Sequence, residues 1–215
     1  MRKILCLVLI LLTLTACDAE WINRLPYSGP IEVSVDQGAV LPGTNIRYLG
    51  QTERGAQLSI GGQEAIKKIG DSLDWRGDMV RGVAVDQTLR VALITDQSLH
   101  SLGTVRIIVA NPIAEPGPVN RLAPVHYKVP VGYHVEAGQT IPGTTLIYAG
   151  KSGDSAELDN IEGYPYRKLG DSITWQGQLR TGLWLDLNLR AMLITDAQLD
   201  LVGTADLWIL PDVHQ

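Results

Sequence analysis

The stretch Lys68–Trp75, which reads Lys-Ile-Gly-Asp-Ser-Leu-Asp-Trp, returns one hundred residues later as Lys168–Trp175, which reads Lys-Leu-Gly-Asp-Ser-Ile-Thr-Trp. Aligned without a gap, residues 35–104 and residues 135–204 are identical at 26 of 70 positions. Agreement at this level over a fixed offset excludes chance. The chain therefore contains an internal repeat, and each copy of about 80 residues is long enough for one modest hydrophobic core.

Apolar and polar residues alternate within each copy, which is the period of a strand rather than of a helix. Between residues 183 and 189 the leucines share one face, and Trp184 and Asp186 share the other. Strands are expected at 31–36, 45–49, 56–60, 72–76, 89–95 and 104–110, with equivalents 100 residues later, and one turn of helix at 96–102. This pattern predicts an all-β fold with two tandem homologous antiparallel β-sandwich or small-barrel domains. One fused barrel, to which each repeat contributes half, is the alternative.

The composition suggests five segments. Residues 1–16 form a signal peptide, and residues 17–30 a lipidated cysteine and its tether. Residues 31–112 form the first β domain, 113–124 a proline-rich linker, and 125–215 the second β domain. Because proline favours extended polyproline geometry, the linker is expected to be semi-rigid.

The N-terminus has the features of a secretory signal. A basic start, Met1-Arg2-Lys3, precedes the apolar run Ile4–Leu12, and Leu14-Thr15-Ala16-Cys17 follows. The run is too short to span a membrane stably. Leu14–Cys17 resembles the lipobox of bacterial lipoproteins, a resemblance confined to about the first eighteen residues. It implies a lipid on Cys17 and an exported protein anchored to the cell membrane or envelope, with the leaflet left open. An ordinary signal peptide with a chance cysteine is the alternative.

The composition argues against several classes of function. Cys6 and Cys17 are the two cysteines, so the mature repeats have neither a disulfide nor a thiol. The chain carries 18 basic and 23 acidic residues, and loss of Arg2 and Lys3 makes it more acidic, so nucleic acid is a poor partner. The four histidines show no metal-ligand spacing, and no phosphate-binding loop is present. We therefore expect no metal and no cofactor.

Gly70-Asp71-Ser72-Leu73 resembles the motif that names the GDSL esterases, in which the serine is the nucleophile of an α/β hydrolase. The resemblance implies a base near the C-terminus in an Asp-x-x-His pair, but Asp212 and His214 are separated by one residue. The second copy reads Gly170-Asp171-Ser172-Ile173, and strand–helix alternation is absent. The favoured interpretation is a turn in which Asp and Ser side chains bond nearby backbone amides. We expect no enzyme, with a serine hydrolase as a remote alternative.

Most residues that are identical in both copies have a structural explanation. Trp75 and Trp175 share a strand face with Leu73 and Ile173, which predicts that both indoles lie in the core. The pairs Asp86–Arg90 and Asp186–Arg190 are interpreted as structural ion pairs or turn caps.

The copies differ most clearly in aromatic residues. The second copy carries Tyr164, Tyr166, Trp184 and Trp208 where the first carries Glu64, Ile66, Ala84 and Ile108. Exposed rings of this kind stack on sugars or anchor a protein partner. The open alternative is that they cover the interface between the domains or fill a second layer of the sandwich.

The sequence as a whole favours a membrane-anchored envelope lipoprotein that acts as a non-enzymatic binding or scaffolding module. Its partners would be the membrane, through the lipid on Cys17, and an envelope glycan or protein. A structural or accessory subunit of an envelope protein complex is the alternative.

Overall fold

The computed structural model of the chain describes residues 23–212. The predicted signal peptide, Cys17 and the C-terminal residues 213–215 lie outside the described residues, so lipidation stays a prediction. The described chain is all-β, with fifteen strands and no helix, which confirms the predicted fold class.

The strands of the first repeat are β1 (Arg24–Asp36), β2 (Ile46–Thr52), β3 (Gly55–Ile60), β4 (Gln63–Lys67), β5 (Trp75–Val80), β6 (Val83–Ile94) and β7 (Ser98–Ala110). A short strand, β8 (Glu115–Pro116), lies in the linker. The second repeat contains β9 (Val125–Glu136), β10 (Ile147–Ser152), β11 (Ser155–Asp159), β12 (Tyr166–Arg167), β13 (Ser172–Arg180), β14 (Leu183–Ile194) and β15 (Gln198–Ile209).

Each repeat consists of a long sheet and a small sheet, all antiparallel. Long sheet 1 has the order β1-β7-β6-β5, and long sheet 2 has the order β8-β13-β14-β15-β9. The small sheets are β2-β3-β4 and β10-β11-β12. None of these sheets closes into a barrel, so the fused-barrel alternative is wrong and the architecture is consistent with β-sandwiches.

The long sheets have the same register. Val83 pairs with Val109 in repeat 1, and Leu183 pairs with Ile209 in repeat 2. Both also contain the same β-bulge, before Leu93 and before Leu193. The duplication therefore extends from sequence to hydrogen-bond pattern.

Two segments differ from the sequence interpretation. Strand β1 begins at Arg24, so residues 24–30, assigned to the tether, belong to the sheet. Their inward side chains, Leu25 and Tyr27, are buried, and an edge strand tolerates Pro26 and Pro30. The helical turn expected at 96–102 is wrong, because β7 begins at Ser98, whose backbone N–H donates to Thr95 Oγ1 at 2.9 Å and closes a hairpin.

The core is partly shared between the repeats. One end of long sheet 1 packs on its own small sheet, where Val35, Tyr48, Leu58 and Leu89 belong to one buried cluster. The other end belongs to a second cluster that includes Leu25, Tyr27, Val85, Ile107, Leu185 and Leu207. Each long sheet thus contributes part of its inner face to the other repeat. The division into two separate domains stays a prediction.

Reciprocal contacts show that the two repeats are arranged with internal pseudo-twofold symmetry. A Cβ added at Gly43 would lie 3.1 Å from a methyl of Val125, and one added at Gly143 would lie 3.0 Å from a methyl of Leu25. Both glycines have positive φ, 74° and 78°, in the Pro-Gly-Thr turns that the sequence predicts. The turn of each repeat therefore packs on the first inward residue of the other.

The linker runs over the outer face of long sheet 2. Strand β8 lies at one edge of this sheet and β9 at the opposite edge, so residues 117–124 cross from edge to edge. The Arg121 guanidinium lies 2.6 Å from the Asp186 carboxylate, on the face opposite the buried leucines of β14. This contact places the crossing on the outer face.

Candidate binding surface

Three rings stand side by side on the outer face of long sheet 2. Trp184 on β14 pairs directly with Trp208 on β15, and Trp208 pairs with His126 on β9. The His126 ring stacks on the Trp208 indole, with centroids 4.0 Å apart and planes 15° from parallel. Strand alternation places these rings outward, because the neighbouring Leu183, Leu185 and Leu207 are fully buried on the inner face. We name Trp184, Trp208 and His126 the aromatic row.

A polar row runs beside the aromatic row, two residues along each strand. Asp206 accepts a hydrogen bond from His126 Nε2 when that nitrogen is protonated, at 2.8 Å, and lies 3.3 Å from Lys128 Nζ. Asp186 accepts a bond of 3.0 Å from the Gln176 side-chain amide, in addition to the Arg121 contact. Both carboxylates face cationic or amide donors, so the row presents hydrogen-bonding groups with little net charge.

Both tryptophans are partly buried, and the linker crosses the same face of the sheet through the contact of Arg121 with Asp186. The His126 ring covers one face of the Trp208 indole. Sequence reasoning missed His126, because its approach to Trp208 depends on the β9–β15 register. A histidine at an outward position of the second repeat's first strand was the available signal.

The other two aromatic residues lie elsewhere. Tyr166 is on β12 of the small sheet, and its ring meets that of Tyr164 edge to face at 5.4 Å. This small sheet packs on the inner face of long sheet 2, since Leu158 of β11 shares a buried cluster with Leu189. The four aromatics of the second copy therefore form two separate pairs, and only the tryptophans share the outer face.

The tyrosine pair has its own shallow pocket of about 320 Å³, which Tyr164, Tyr166, Lys168 and Ser172 help to line. Tyr164 is 71% exposed. The Lys168 ammonium lies 3.1 Å from the Asp154 carboxylate, and this contact lowers the pKa of Asp154 and raises that of Lys168.

The same outer positions of repeat 1 carry no rings. Ala84 pairs with Ile108, and Ile108 with Pro26, in the register of the aromatic row. The next row contains an exposed ion pair between Arg76 and Asp86. The two long sheets thus have the same backbone register but different side chains on their outer faces.

The duplicated tryptophans occupy the inner side. Trp175 is 6% exposed, and its indole N–H donates to Thr145 Oγ1 at 3.2 Å. Trp75 is partly buried and packs against both clusters. The core prediction is confirmed for Trp175 and holds in part for Trp75.

The Gly-Asp-Ser segments have the contacts of a turn. Asp71 Oδ2 accepts the Lys68 backbone N–H at 2.7 Å, and Asp171 Oδ2 accepts that of Lys168 at 2.8 Å. The Ser172 hydroxyl accepts a bond from the Arg190 guanidinium. The turn interpretation explains these bonds, and the hydrolase alternative stays untested.

None of the three described histidines is hydrogen-bonded to Ser72 or Ser172. His100 bonds the Ser98 hydroxyl at 3.0 Å, His126 contacts Asp206, and His134 lies 2.7 Å from Asp200. His214 lies outside the described residues.

The predicted ion pairs between Asp86 and Arg90, and between Asp186 and Arg190, are wrong. Asp86 instead contacts Arg76 on β5, and Asp186 contacts Arg121 of the linker. The reason is strand geometry, which separates residues i and i+4 by about 13 Å. The carboxylates join neighbouring segments rather than neighbours in sequence.

Buried tyrosines line the junction between the repeats. Burial raises the pKa of Tyr27 and Tyr127, and raises that of Tyr133 to about 12. The Tyr127 hydroxyl accepts a bond from the Gln87 side chain, which is itself 2% exposed. Gln87 Oε1 has no hydrogen-bond partner within the described chain, whereas the hydroxyls of Tyr27 and Tyr133 lie close enough to shift each other's pKa.

Between residues 23 and 212, no three His, Cys, Asp or Glu side chains are grouped to hold a metal ion. Within the same range, no helix has the length and apolar character to cross a membrane.

Comparison with known proteins gave no relative. No family model matches the chain, and no curated protein or solved structure is significantly similar to it. The candidate surface therefore rests on its own geometry.

Proposed function

We propose that the protein is a lipid-anchored, non-enzymatic binding module of a bacterial envelope that contacts a glycan through the outer face of long sheet 2. The observation that carries the proposal is the direct pairing of Trp184 with Trp208 on the outer face of long sheet 2, where both side chains are partly exposed. Repeat 1 has the same backbone there but no rings, so the fold itself does not require them.

The chemistry of the two adjacent rows supports a glycan. Indole rings pack on the C–H faces of sugars, and carboxylate, amide and ammonium groups bond sugar hydroxyls. Asp186 and Asp206 are already paired with cations, which favours a ligand without strong charge. A partly apolar row flanked by polar groups is the usual composition of a ligand-binding surface.

The anchor follows from the lipobox resemblance. Cys17 precedes Asn23 by six residues, which span at most about 20 Å when extended. A lipid on Cys17 would hold the repeats close to the membrane and within reach of envelope polysaccharide.

A matched swap tests the proposal. The double variant Trp184→Ala and Trp208→Ile places the residues of repeat 1 on the face of repeat 2. We expect the full chain in detergent to co-sediment with purified peptidoglycan, and the swap to weaken binding about tenfold or more, as for loss of a central aromatic contact.

The control is Tyr164→Ala with Tyr166→Ala, which removes the other aromatic pair and leaves binding unchanged. Unfolding followed by circular dichroism checks that each variant folds. Equal binding by the swap variant and the unaltered protein would refute the proposed site.

A further inference from the structure

A groove of about 430 Å³ lies where β9 of repeat 2 faces β1 of repeat 1. Strand β9 is an edge strand, because β15 is its one neighbour in long sheet 2. The groove lining includes His126 and Lys128, which are exposed on the outer side of β9, and Val125 and Tyr127, which are buried on its inner side. Since residues of both sides contribute, the groove passes round the free edge of β9. We name it the junction groove.

The junction groove contains a buried amide. Gln87 of β6 belongs to its lining and is 2% exposed. The Gln87 Nε2 donates to the Tyr127 hydroxyl, whereas Gln87 Oε1 has no hydrogen-bond partner within the described chain. A buried acceptor without a donor is unfavourable. The groove therefore favours a ligand that donates an N–H or O–H to this oxygen.

The aromatic row leads to this groove. Trp184, Trp208 and His126 lie on three successive neighbouring strands, of which β9 is the last. His126 belongs both to the aromatic row and to the lining of the junction groove. A glycan that follows the row across the strands therefore reaches the groove beyond His126.

The pseudo-twofold symmetry supplies an internal comparison. The equivalent row of repeat 1 consists of Ala84, Ile108 and Pro26, and Pro26 lines a second groove, of about 620 Å³. Leu187 stands at the position equivalent to Gln87. One path thus has three rings and a buried amide, and the other has none of these groups at the same four positions. Because the two long sheets share their register, the fold alone does not explain why these differences lie along one path.

The rest of the lining indicates the chemistry of the ligand. Glu32 and Ser34 are exposed at the rim, where their oxygens can bond sugar hydroxyls. Lys128 and His126 both contact Asp206, so the rim does not require a charged ligand. Apolar residues also line the groove, among them Ile31, Leu41 and Val125. A neutral group that joins an N–H donor to a small apolar part fits this combination, and the acetamido group of a sugar is such a group.

We propose that the junction groove accepts the acetamido group of an N-acetylated amino sugar, in a glycan that continues along the aromatic row. The acetamido N–H donates to Gln87 Oε1, and the acetamido methyl packs on the apolar lining. This inference rests on the proposed function, because the aromatic row holds the rest of the glycan. The tryptophans supply affinity for sugars of any kind, and Gln87 supplies the preference for N-acetylated ones.

Calorimetric titration of the full chain in detergent tests this inference with two probes. One is the β-1,4-linked tetramer of N-acetylglucosamine, and the other is the glucose tetramer of the same linkage, which has hydroxyls in place of the acetamido groups. We expect the unaltered protein to bind the N-acetylated tetramer about tenfold more tightly, as for one additional hydrogen bond. The double variant Gln87→Leu and Tyr127→Phe should lose this preference. It should keep its affinity for the glucose tetramer, which also shows that the variant is folded.

Gln57→Leu is the matched control, because it makes the same change on β3, where the Gln57 amide donates to Glu64 Oε2 at 3.1 Å outside the groove. This variant keeps the preference. Equal affinity of the unaltered protein for the two tetramers, or a preference that survives in the double variant, would overturn the inference. The proposed function would still stand in that case if the swap of Trp184 and Trp208 weakens binding of both tetramers. Binding of neither tetramer would overturn the inference and the proposed function together.

Discussion

The two repeats share a backbone register strand by strand, yet their outer faces diverge in one place and agree in another. Trp184 and Trp208 replace Ala84 and Ile108, whereas the exposed Leu93 of repeat 1 has its match in the exposed Leu193 of repeat 2. Inner residues are retained because the shared core requires them. Folding therefore accounts for the shared inner residues, but it does not account for the tryptophans on the outer face of repeat 2.

The largest effect is expected at the duplicated tryptophans, where the repeats respond unequally. Trp175→Ala removes a nearly fully buried indole and should lower the free energy of unfolding by about 4 kcal/mol. Trp75→Ala removes a partly buried one and should cost about 2 kcal/mol. Urea denaturation of both variants measures the difference, and equal losses would contradict the assigned burial.

The next effect is expected at a glycine that both repeats need alike. A Cβ at Gly103 would overlap the Thr88 carbonyl oxygen, and one at Gly203 would overlap that of Asn188. Each alanine variant should therefore cost about 3 kcal/mol. Gly132→Ala is the control, since its Cβ would lie 3.8 Å from the nearest atom, the Leu201 carbonyl oxygen. A tolerated Gly203→Ala would refute the register of β14 and β15.

Alkaline pH probes the tyrosines that occupy equivalent places in the junction. Burial raises the folded-state pKa of Tyr27 and Tyr127 above the unfolded value near 10, so the folded state keeps protons that the unfolded state loses. Stability is therefore full below about pH 10 and falls as the pH rises above it. Tyr127→Phe should reduce this slope by about 1.4 kcal/mol per pH unit.

Chemical denaturation between pH 8 and pH 11.5 measures this slope. Tyr164→Phe is the control, because it removes the hydroxyl of an exposed tyrosine that lies outside the junction. An unchanged slope in Tyr127→Phe would contradict burial of that hydroxyl.

The smallest effect is expected where repeat 1 carries Gln87 and repeat 2 carries Leu187. Gln87→Leu removes the donor to the buried Tyr127 hydroxyl and should cost about 1 kcal/mol. Adding Tyr127→Phe removes the hydroxyl that has lost this donor, leaving Met79 Sδ as its one other contact, and should recover most of that loss. The double-mutant cycle measures the coupling, and additive losses would show that the two side chains do not interact.

The duplication and the alternation predict the fold class and the inner positions well, because both depend on local periodicity. The start of β1 escaped prediction, since its prolines resemble a tether and only its pairing as an edge strand explains them. The Asp86 and Asp186 partners escaped it too, because they come from segments that only the tertiary fold brings close.

Sequence alone predicts only part of the candidate surface. Strand parity places Trp184 and Trp208 on one face, which is a local property. The separation of Tyr164 and Tyr166 from them depends on how the small sheet packs, and the contribution of His126 depends on the β9–β15 register. Neither feature can be predicted from the local sequence.

The most direct test of the account is whether the repeats form one core. Leu185 of repeat 2 lies in the cluster that contains Ile107 of repeat 1, so Leu185→Ala should weaken both repeats together. Native-state hydrogen exchange should show the amides of Ile107 and Leu207 each losing about 3 kcal/mol of protection. Loss at Leu207 with unchanged protection at Ile107 would contradict the shared core.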